Sequence, residues 1–372
     1  MEVGIITIHN HLNYGAVLQA YALNKAVQKM GYQCQIINCN FEPGKGRQFS
    51  TSKHMGEQIK NLYLGWHWAA NKRYREKFLD FERQHIPITD TAYKNLGQLT
   101  SKPPRFDAYI AGSDQVWHPL LLERQIGKAF HLCFVSPEKS RLIAYAPSFG
   151  VNEIPGRYLE EIKKYLLRYH ALSARERKGQ EIIFALTGMK AEHVVDPTFL
   201  LSAAEYEPVL QSPSYSDEYI LVYPMELGED GVFLSLVKEV KKQLSLPIIC
   251  VLPRSFSYRW LLISDKVVLD AGPKEFLGLC KHSSLICTNS FHGTAFSLIY
   301  QKDFLGVPHT QTNSRIYGIL ERLDLCRRQI TSVNSTRIRE ILQERIDYSQ
   351  VTPVLQGCIQ QSLKYLKNAL DS

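Results

Sequence analysis

The sequence predicts an α/β protein in which two Rossmann-like domains face each other across a cleft. The chain has 372 residues, about twice the length of a typical domain. Short β-branched runs alternate with helical apolar spacing along most of the chain, which is typical of parallel, doubly wound sheets. A polar, proline-containing stretch at residues 202–216 separates two such sets of elements. We therefore expect the domain hinge at that stretch.

The first set predicts an N-terminal domain at residues 1–205. A β-branched run at residues 3–8 precedes a glycine-containing turn, and apolar residues then recur at helical spacing from Ala16 to Met30. This pattern predicts a strand, a loop and a helix in that order. Further strands are predicted at residues 35–38, 108–111, 142–146, 171–174 and 193–195, with a helix at 158–169.

The second set predicts a C-terminal domain at residues 217–350. It alternates in the same way, so a second parallel sheet is expected, with ligands at the carboxyl ends of the strands. Residues 351–372 are expected to form a C-terminal helix that packs back on the N-terminal domain. Strands are predicted at residues 219–223, 247–251, 267–269 and 285–287, and helices at 229–244, 273–281 and 294–300.

Residues 45–83 fit neither set and are expected to form a helical insertion. The segment has nine Lys/Arg residues against four Asp/Glu residues. They are interleaved with the aromatic residues Tyr63, Trp66, Trp68, Tyr74, Phe78 and Phe81. One interpretation is contact with an anionic lipid surface. The favoured interpretation is an amphipathic helix whose aromatic side chains pack on the domain while its charges face water.

The composition is that of an ordinary globular protein. Apolar residues make up 45% and charged residues 22% of the chain, which excludes disordered, collagen-like and disulfide-scaffold classes. The net charge of +8 suits an anionic substrate or an acidic membrane surface, but also a merely soluble protein. Without a membrane-span pattern or a signal-peptide pattern, the protein is expected to be cytoplasmic. The eight cysteines form no C-x-x-C pair and are expected to be reduced core thiols.

The clearest candidate site is TNSFHGT at residues 288–294, between a predicted strand and a helix. Unpaired N–H groups and the helix dipole favour anions at such a junction, where Ser290 can cap the helix. Gly293 would let a ligand approach the backbone, and His292 beside the ligand can donate or accept a proton. The alternative is a hydrogen-bonded scaffold histidine.

A second candidate is Asn13-Tyr14-Gly15 in the first strand-to-helix turn. Gly15 permits tight backbone geometry and Asn13 offers both a donor and an acceptor, which suits a hydroxyl-rich ligand. One glycine is not a dinucleotide fingerprint, and a plain turn is the alternative. His9 and His11 lie nearby, but no third ligand follows at a useful spacing, so no metal site is predicted.

A third candidate, Ser113-Asp114-Gln115, follows another predicted strand. Asp114 can accept a hydrogen bond from a sugar hydroxyl or act as a base on it. The alternative is a simple helix cap. Trp117 would offer the sugar a flat apolar face.

Two arginines are candidate anion clamps. Arg175, in the segment SARE, can hold a carboxylate or a phosphate through two parallel hydrogen bonds. A surface pair with Glu176 is the alternative. Arg315 precedes a predicted helix, where a solvated arginine is equally ordinary.

Seven motifs follow one another along the chain. They are NYGAVLQAYAL, AGSDQVW, AYAPSFG, SARE, VVDPTFLL, TNSFHGTAFS and a late arginine before a helix. Together they resemble the polysaccharide pyruvyl transferase family, from about residue 3 to residue 328. The resemblance implies a GT-B-like fold, phosphoenolpyruvate as donor, and a sugar with two free hydroxyls that becomes a pyruvate ketal. It also implies that His292 and Arg175 are associated with the donor.

These implied roles lead to a hypothesis for the site. Ketal formation needs at least one acid and one base, and the catalytic residues are His292 and Asp114. Arg175 and Arg315 hold the carboxylate and phosphate of the donor. The other donor-binding residues are Asn289, Ser290, Gly293 and Thr294. The acceptor-binding residues, from the opposite domain, are Asn13, Tyr14, Gly15, Ser113 and Gln115.

The resemblance also sets expectations for partners. No cofactor and no metal are expected besides phosphoenolpyruvate as co-substrate. The implied acceptor is a lipid-linked or nucleotide-linked oligosaccharide at the cytoplasmic membrane face, and peripheral contact with an anionic membrane is compatible with it. No nucleic-acid motif is recognisable. Two alternatives stay open, a GT-B glycosyltransferase that uses a nucleotide sugar and a non-catalytic carbohydrate-binding protein of the same fold.

Overall fold

The computed structural model describes residues 1–40, 57–215, 217–225, 230–252, 258–308 and 314–372. Within the helices, the side chains of residues 57–68, 230, 258, 314 and 315 lie outside this description. Two parallel sheets with helices around them form the core of the described chain. This arrangement confirms the predicted α/β fold class.

The first sheet belongs to the N-terminal half. Its strands are β1 (Glu2–Ile6), β2 (Gln33–Ile36), β3 (Ala108–Ala111) and β4 (Arg141–Ala144), followed by the short pair β5 (Ser173–Ala174) and β6 (Glu192–His193). The first four strands lie in the order β2-β1-β3-β4, all parallel. β5 and β6 also pair in parallel, and a bridge from Ile143 to Ala171 joins the chain before them to β4.

The second sheet belongs to the C-terminal half. Its strands are β7 (Ile220–Tyr223), β8 (Ile248–Val251), β9 (Lys266–Val268), β10 (Leu285–Thr288) and β11 (Asp303–Gly306). They lie in the order β11-β10-β7-β8-β9, and every pair is parallel. Every residue of β7, β8 and β10 is buried, as expected for a parallel sheet that is covered on both faces.

Helices cover both sheets. They are α1 (Tyr14–Lys29), α2 (Glu57–His85), α3 (Leu96–Ser101), α4 (Gln125–Phe130), α5 (Leu159–Leu166), α6 (Arg177–Thr187), α7 (Ala203–Tyr206), α8 (Asp230–Leu244), α9 (Tyr258–Ile263), α10 (Pro273–His282), α11 (Phe291–Ile299), α12 (Ser314–Arg322), α13 (Ser335–Gln343) and α14 (Tyr348–Asp371). In the part of the chain that is described, none of them is both long and apolar enough to cross a membrane.

α1 is the central helix of the molecule. Thirteen of its sixteen residues are buried, so it is covered on all sides rather than along one stripe. It contacts β2, the short 3-10 helix at Pro197–Leu200, and α10 of the C-terminal half. α1 therefore joins the two halves.

α2 includes the described part of the predicted insertion. Tyr74, Phe78 and Phe81 are buried, in agreement with an amphipathic helix that packs on the domain. Arg73 Nε lies 2.6 Å from the Asp270 carboxylate, which ties α2 to the C-terminal half. The side chains of Tyr63, Trp66 and Trp68 lie outside the described residues.

The chain passes between the halves at two places. In the described part of the predicted hinge, residues 202–215, the Gln211 N–H donates to the Lys274 carbonyl at 2.9 Å, so the stretch packs on α10. α14 then returns to the N-terminal sheet. There the Tyr365 hydroxyl donates to the Ala144 carbonyl at 2.8 Å, and the Val195 N–H donates to the Ser362 hydroxyl at 3.0 Å.

Candidate active site

α11 begins at a hydrogen-bonded turn after β10. Ser290 is its N-cap, and the Ser290 Oγ accepts a hydrogen bond from the Gly293 N–H at 3.4 Å. The Thr288 hydroxyl donates to the Tyr223 carbonyl at 2.7 Å and accepts from the Ser290 N–H at 3.0 Å. These bonds hold His292 in the first turn of the helix, at the carboxyl end of the sheet.

Several residues expected to bind the donor have packing roles in the structure. A Cβ on Gly293 would lie 2.4 Å from the Thr288 Oγ1, so the glycine lets the helix approach the strand, not a ligand. Thr294 is buried, and its hydroxyl donates to the carbonyl of the N-cap residue at 3.2 Å. The Asn289 Oδ1 accepts from the Met225 N–H at 2.7 Å, which ties the turn to the end of β7.

The N-terminus of α1 packs directly against His292. Asn13 caps α1, since its Oδ1 accepts a hydrogen bond from the Ala16 N–H at 3.3 Å. A Cβ on Gly15 would lie only 1.9 Å from the His292 Nδ1, a separation that no side chain can have. Gly15 therefore allows the two halves to meet at the imidazole, whose side chain is 10% exposed.

Asp196, which follows β6, provides the most buried carboxylate of the site. Its Oδ2 accepts hydrogen bonds from the Arg175 Nη1 at 2.6 Å and from the Ser113 hydroxyl at 3.1 Å. Its Oδ1 accepts from the N–H and the hydroxyl of Thr198, at 3.0 and 2.8 Å. The His292 Nε2 lies 3.9 Å from the Asp196 Oδ2. This carboxylate therefore links residues from four segments of the chain.

The ionisation of Asp196 follows from these partners. Burial acts to raise its pKa, but the charges of His292 and Arg175 and the hydrogen bond from the Thr198 N–H outweigh burial. The pKa of Asp196 is therefore lowered from its ordinary value. The site contains a buried carboxylate that stays ionised at neutral pH.

Arg175 lies among carboxylates rather than in an open anion clamp. Besides the bond to Asp196, its Nε donates to Glu176 at 3.2 Å, and its Nη2 lies 3.7 Å from the Asp114 Oδ1. The guanidinium carbon lies 4.9 Å from the centroid of the Phe291 ring. Burial opposes the charge, but the three carboxylates raise the pKa of the guanidinium above its ordinary value.

This arrangement corrects one interpretation of Arg175 and narrows the other to a single nitrogen. The pair with Glu176 exists, but both residues are buried, so it is not a surface pair. Two of the three guanidinium nitrogens already donate to carboxylates, so a free bidentate clamp is not available. Among the described residues, Nη2 is the nitrogen that lacks a hydrogen-bond partner.

Asp114 lies in a left-handed turn after β3. Its φ is 70°, in a region that few residues other than glycine, asparagine and aspartate adopt. Its carbonyl accepts from the Ser148 N–H at 2.9 Å, which ties this turn to the loop after β4. The side chain is 19% exposed, next to the buried Arg175. Asp114 therefore lies on the N-terminal side of the site.

Two residues expected to bind an acceptor are buried in packing contacts. Tyr14 is fully buried, stacks on Phe276 with the ring centroids 4.3 Å apart, and donates to the Ala271 carbonyl at 2.7 Å. Ser113 is also fully buried, and its hydroxyl donates to Asp196. Both hydroxyls donate to other groups of the protein, so the structure gives Tyr14 and Ser113 packing and positioning roles.

The remaining predicted residues lie further along the same loops. Trp117 is fully buried and stacks on His131, so it offers no face to a sugar. Gln115 is partly buried and packs beside Gly150 in the loop after β4. The side chain of Arg315 lies outside the described residues.

Asp196 was not predicted as a site residue, and Glu176 was named only as a surface partner of Arg175. A signal for Asp196 was present, because an aspartate directly after the predicted strand at 193–195 lies at a carboxyl strand end, where ligands bind. Within the described ranges, no group of three or more His, Cys, Asp or Glu side chains is arranged to hold a metal.

Solved structures with similar folds cover nearly the whole chain. A glycosyltransferase from Rickettsia africae has a TM-score of 0.55 at 11% identity, with 100% of this chain and 99% of that chain covered. The S. aureus protein MnaA, solved with UDP, has a TM-score of 0.54 at 11% identity, covering 100% and 97%. A Listeria monocytogenes protein described as a putative UDP-N-acetylglucosamine 2-epimerase has a TM-score of 0.53 at 10% identity, covering 99% and 90%.

At these identities the likeness shows the fold alone, and it confirms the GT-B-like arrangement of two Rossmann-like domains. No curated protein sequence matches the chain. The family model for polysaccharide pyruvyl transferase matches residues 13–311, a range that includes Gly15, Asp114, Arg175, Asp196 and His292. Because this match covers most of the chain and the whole cluster around the imidazole, the chain belongs to the polysaccharide pyruvyl transferase family.

Proposed function

We propose that this protein transfers pyruvate from phosphoenolpyruvate to two hydroxyls of a sugar, forming a pyruvate ketal during synthesis of a bacterial surface polysaccharide. Membership of the family supports the part of this proposal that the protein is a transferase in polysaccharide synthesis. One observation carries the proposal: Gly15 of one half packs on His292 of the other, beside Asp196 and Arg175. The imidazole therefore lies where the two halves meet, beside a carboxylate and a guanidinium.

The proposed reaction consumes one phosphoenolpyruvate and releases one phosphate. A proton adds to the methylene carbon of the donor, which leaves the neighbouring carbon cationic. One sugar hydroxyl attacks that carbon and loses its proton, the bond from that carbon to the phosphate oxygen breaks, and the second hydroxyl attacks in turn. The reaction therefore needs an acid for the first step and a base for the hydroxyls.

His292 is the proposed acid. It lies in the first turn of α11 and 3.9 Å from the ionised Asp196, and a nearby negative charge favours a protonated imidazole. Asp114 is the proposed base, because its carboxylate is partly exposed where the other carboxylates of the cluster are buried. Asn13, at the N-terminus of α1, is proposed to orient the acceptor through its amide.

The donor carries negative charge on its carboxylate and its phosphate. The Arg175 Nη2 is proposed to bind one of these groups, because the other two nitrogens of the guanidinium donate hydrogen bonds to carboxylates. Arg315, the second residue of α12, is proposed to bind the other charged group of the donor. The N–H groups and dipole at the start of α11 would add to this attraction.

The acceptor is proposed to be a sugar linked to a lipid or to a nucleotide. If it is lipid-linked, the protein works at an anionic membrane surface, and α2 supplies basic residues for such contact. Flotation with vesicles that contain anionic lipid tests this part. Binding at low salt would support it, and no binding at low salt would remove the membrane from the proposal.

The reaction itself is tested with purified protein, phosphoenolpyruvate and candidate sugars. We expect phosphate release only when both substrates are present, and a product whose mass rises by one pyruvate less one water. MnaA was solved with UDP, so a nucleotide sugar is tested in parallel. Release of a nucleoside diphosphate without use of phosphoenolpyruvate would identify a glycosyltransferase instead. Calorimetry that detects sugar binding but no response to phosphoenolpyruvate would identify a carbohydrate-binding protein.

A further inference from the structure

Carboxylates and a guanidinium group lie close to His292 in the part of the chain that is described. Three carboxylates, from Asp114, Glu176 and Asp196, surround the single guanidinium of Arg175. One of these carboxylates also faces the imidazole, whose Nε2 lies 3.9 Å from it. The carboxylate that faces the imidazole is that of Asp196, which is fully buried.

The position of Asp196 is fixed independently of the imidazole. Arg175 and Ser113 donate to one carboxylate oxygen, and Thr198 donates twice to the other. These four hydrogen bonds hold a fully buried side chain in one orientation. The separation from His292 is within ion-pair range but longer than a hydrogen bond, so the two residues interact mainly through charge.

We infer that Asp196 is a positioning residue that keeps the His292 imidazole protonated and oriented for proton donation. Gly15 packs against the Nδ1 edge of the ring while the carboxylate faces the Nε2 edge, so the ring is held from both sides. Arg175 is a cationic group near the ring in the described part of the chain; it lies over the adjacent Phe291 and pairs with carboxylates. Removal of the Asp196 charge takes away the carboxylate that faces the Nε2 edge of the ring, which disfavours imidazolium.

The inference rests on the proposed function only in taking His292 as the acid, and its test needs no substrate. The twelve histidines of the chain are labelled with ¹³C, and their ring signals are followed by NMR against pH. Loss of one signal in His292→Gln assigns the residue. We expect the wild-type His292 to titrate above the ordinary midpoint of about 6.5.

Asp196→Asn keeps the shape of the side chain and removes its charge. We expect the titration midpoint of His292 to fall by about one pH unit or more. Thr198→Val is the matched control, because it removes one hydrogen bond to Asp196 but leaves the carboxylate in place, and we expect it to move the midpoint far less. A His292 midpoint at or below about 6.5 in the wild type overturns the inference, even if Asp196→Asn fails to fold. An unchanged midpoint in a folded Asp196→Asn overturns it as well.

Kinetics distinguish this inference from the proposed function. If His292 is the acid, activity falls as pH rises through its midpoint, and Asp196→Asn moves that alkaline limb to lower pH. If pyruvyl transfer is detected and the alkaline limb of Asp196→Asn does not move, the proposed function is kept and the role of Asp196 is rejected. If the His292 midpoint is raised in the wild type but no pyruvyl transfer is detected, the role of Asp196 is kept and the proposed function is rejected.

Discussion

The two helices that meet at the site, α1 and α11, begin in closely similar ways. Each follows a buried parallel strand, and each has a polar N-cap, Asn13 in one and Ser290 in the other. An aromatic residue then occupies the first helical position, Tyr14 or Phe291. From local structure alone, either junction would be an equally good ligand site.

The surroundings of the two junctions differ. Tyr14 stacks on Phe276 of the C-terminal half, so the start of α1 is closed by aromatic rings. Phe291 lies under the guanidinium of Arg175, so the start of α11 is surrounded by charge. At the next position α1 has Gly15, which supplies space, while α11 has His292, which can transfer a proton. The charge of neighbouring segments, not the local turn, therefore separates the reactive junction from the structural one.

The largest expected effect comes from His292→Ala, which removes the reactive group of α11. General acid–base catalysis contributes about 10²–10⁴-fold, so we expect pyruvyl transfer to fall by that factor while phosphoenolpyruvate still binds. Phosphate release measures turnover and calorimetry measures donor binding. His282→Ala, at the exposed end of α10, is the control and should keep full activity. Near-normal activity of His292→Ala would take this residue out of the mechanism.

A second large effect is expected from Gly15→Ala, which gives α1 a side chain where it faces His292. The new Cβ would lie 1.9 Å from Nδ1, so the imidazole or the helix must move. A misplacement of about 1 Å can cost about 10²-fold in rate, and we expect a loss of that order. Gly357→Ala in α14 is the matched control, because no atom lies within 4 Å of its new Cβ. Equal activity of the two variants would show that the halves do not meet as described.

A smaller effect is expected from Tyr14→Phe, which tests the structural role of the α1 junction. The change keeps the ring but leaves the buried Ala271 carbonyl without its donor. We expect the free energy of unfolding to fall by about 1–3 kcal/mol with turnover nearly unchanged. Urea denaturation and phosphate release measure the two quantities. A loss of turnover without a loss of stability would mean that Tyr14 contacts substrate after all.

The smallest effect separates the caps of the two helices. Asn13→Ala and Ser290→Ala each remove one N-cap hydrogen bond, and we expect each to lower the free energy of unfolding by about 1 kcal/mol. Thermal denaturation of both variants gives the comparison. A clearly unequal loss would show that the two junctions differ in local structure as well as in surroundings.

The sequence predicted most strands but missed β11 and misplaced the start of α11. β11 has only two apolar residues, Phe304 and Leu305, between Asp303 and Gly306, too few for a period to be seen. The predicted helix at 294–300 followed the apolar residues, whereas α11 begins at Phe291. Its first turn contains weak helix formers and depends on the Ser290 cap.

The prediction of the site was limited by partners that are distant in sequence. The His292 motif was found because cap, glycine and histidine are neighbours in the chain. The Asp196 carboxylate was missed because its donors Arg175 and Ser113 lie 21 and 83 positions away. Tyr14 was assigned to a ligand because nothing in its own segment indicates that Phe276 covers it.

The return of α14 to the N-terminal half constrains how the halves can move. Near its start, the Tyr348 hydroxyl donates to the Lys302 carbonyl of the C-terminal half, and near its end Tyr365 bonds to the N-terminal sheet. With the connection near residue 210, the halves are linked at two separate points. A body linked to another at two points turns most easily about the line that joins them. Rotation about that line is therefore the relative motion that these two connections hinder least.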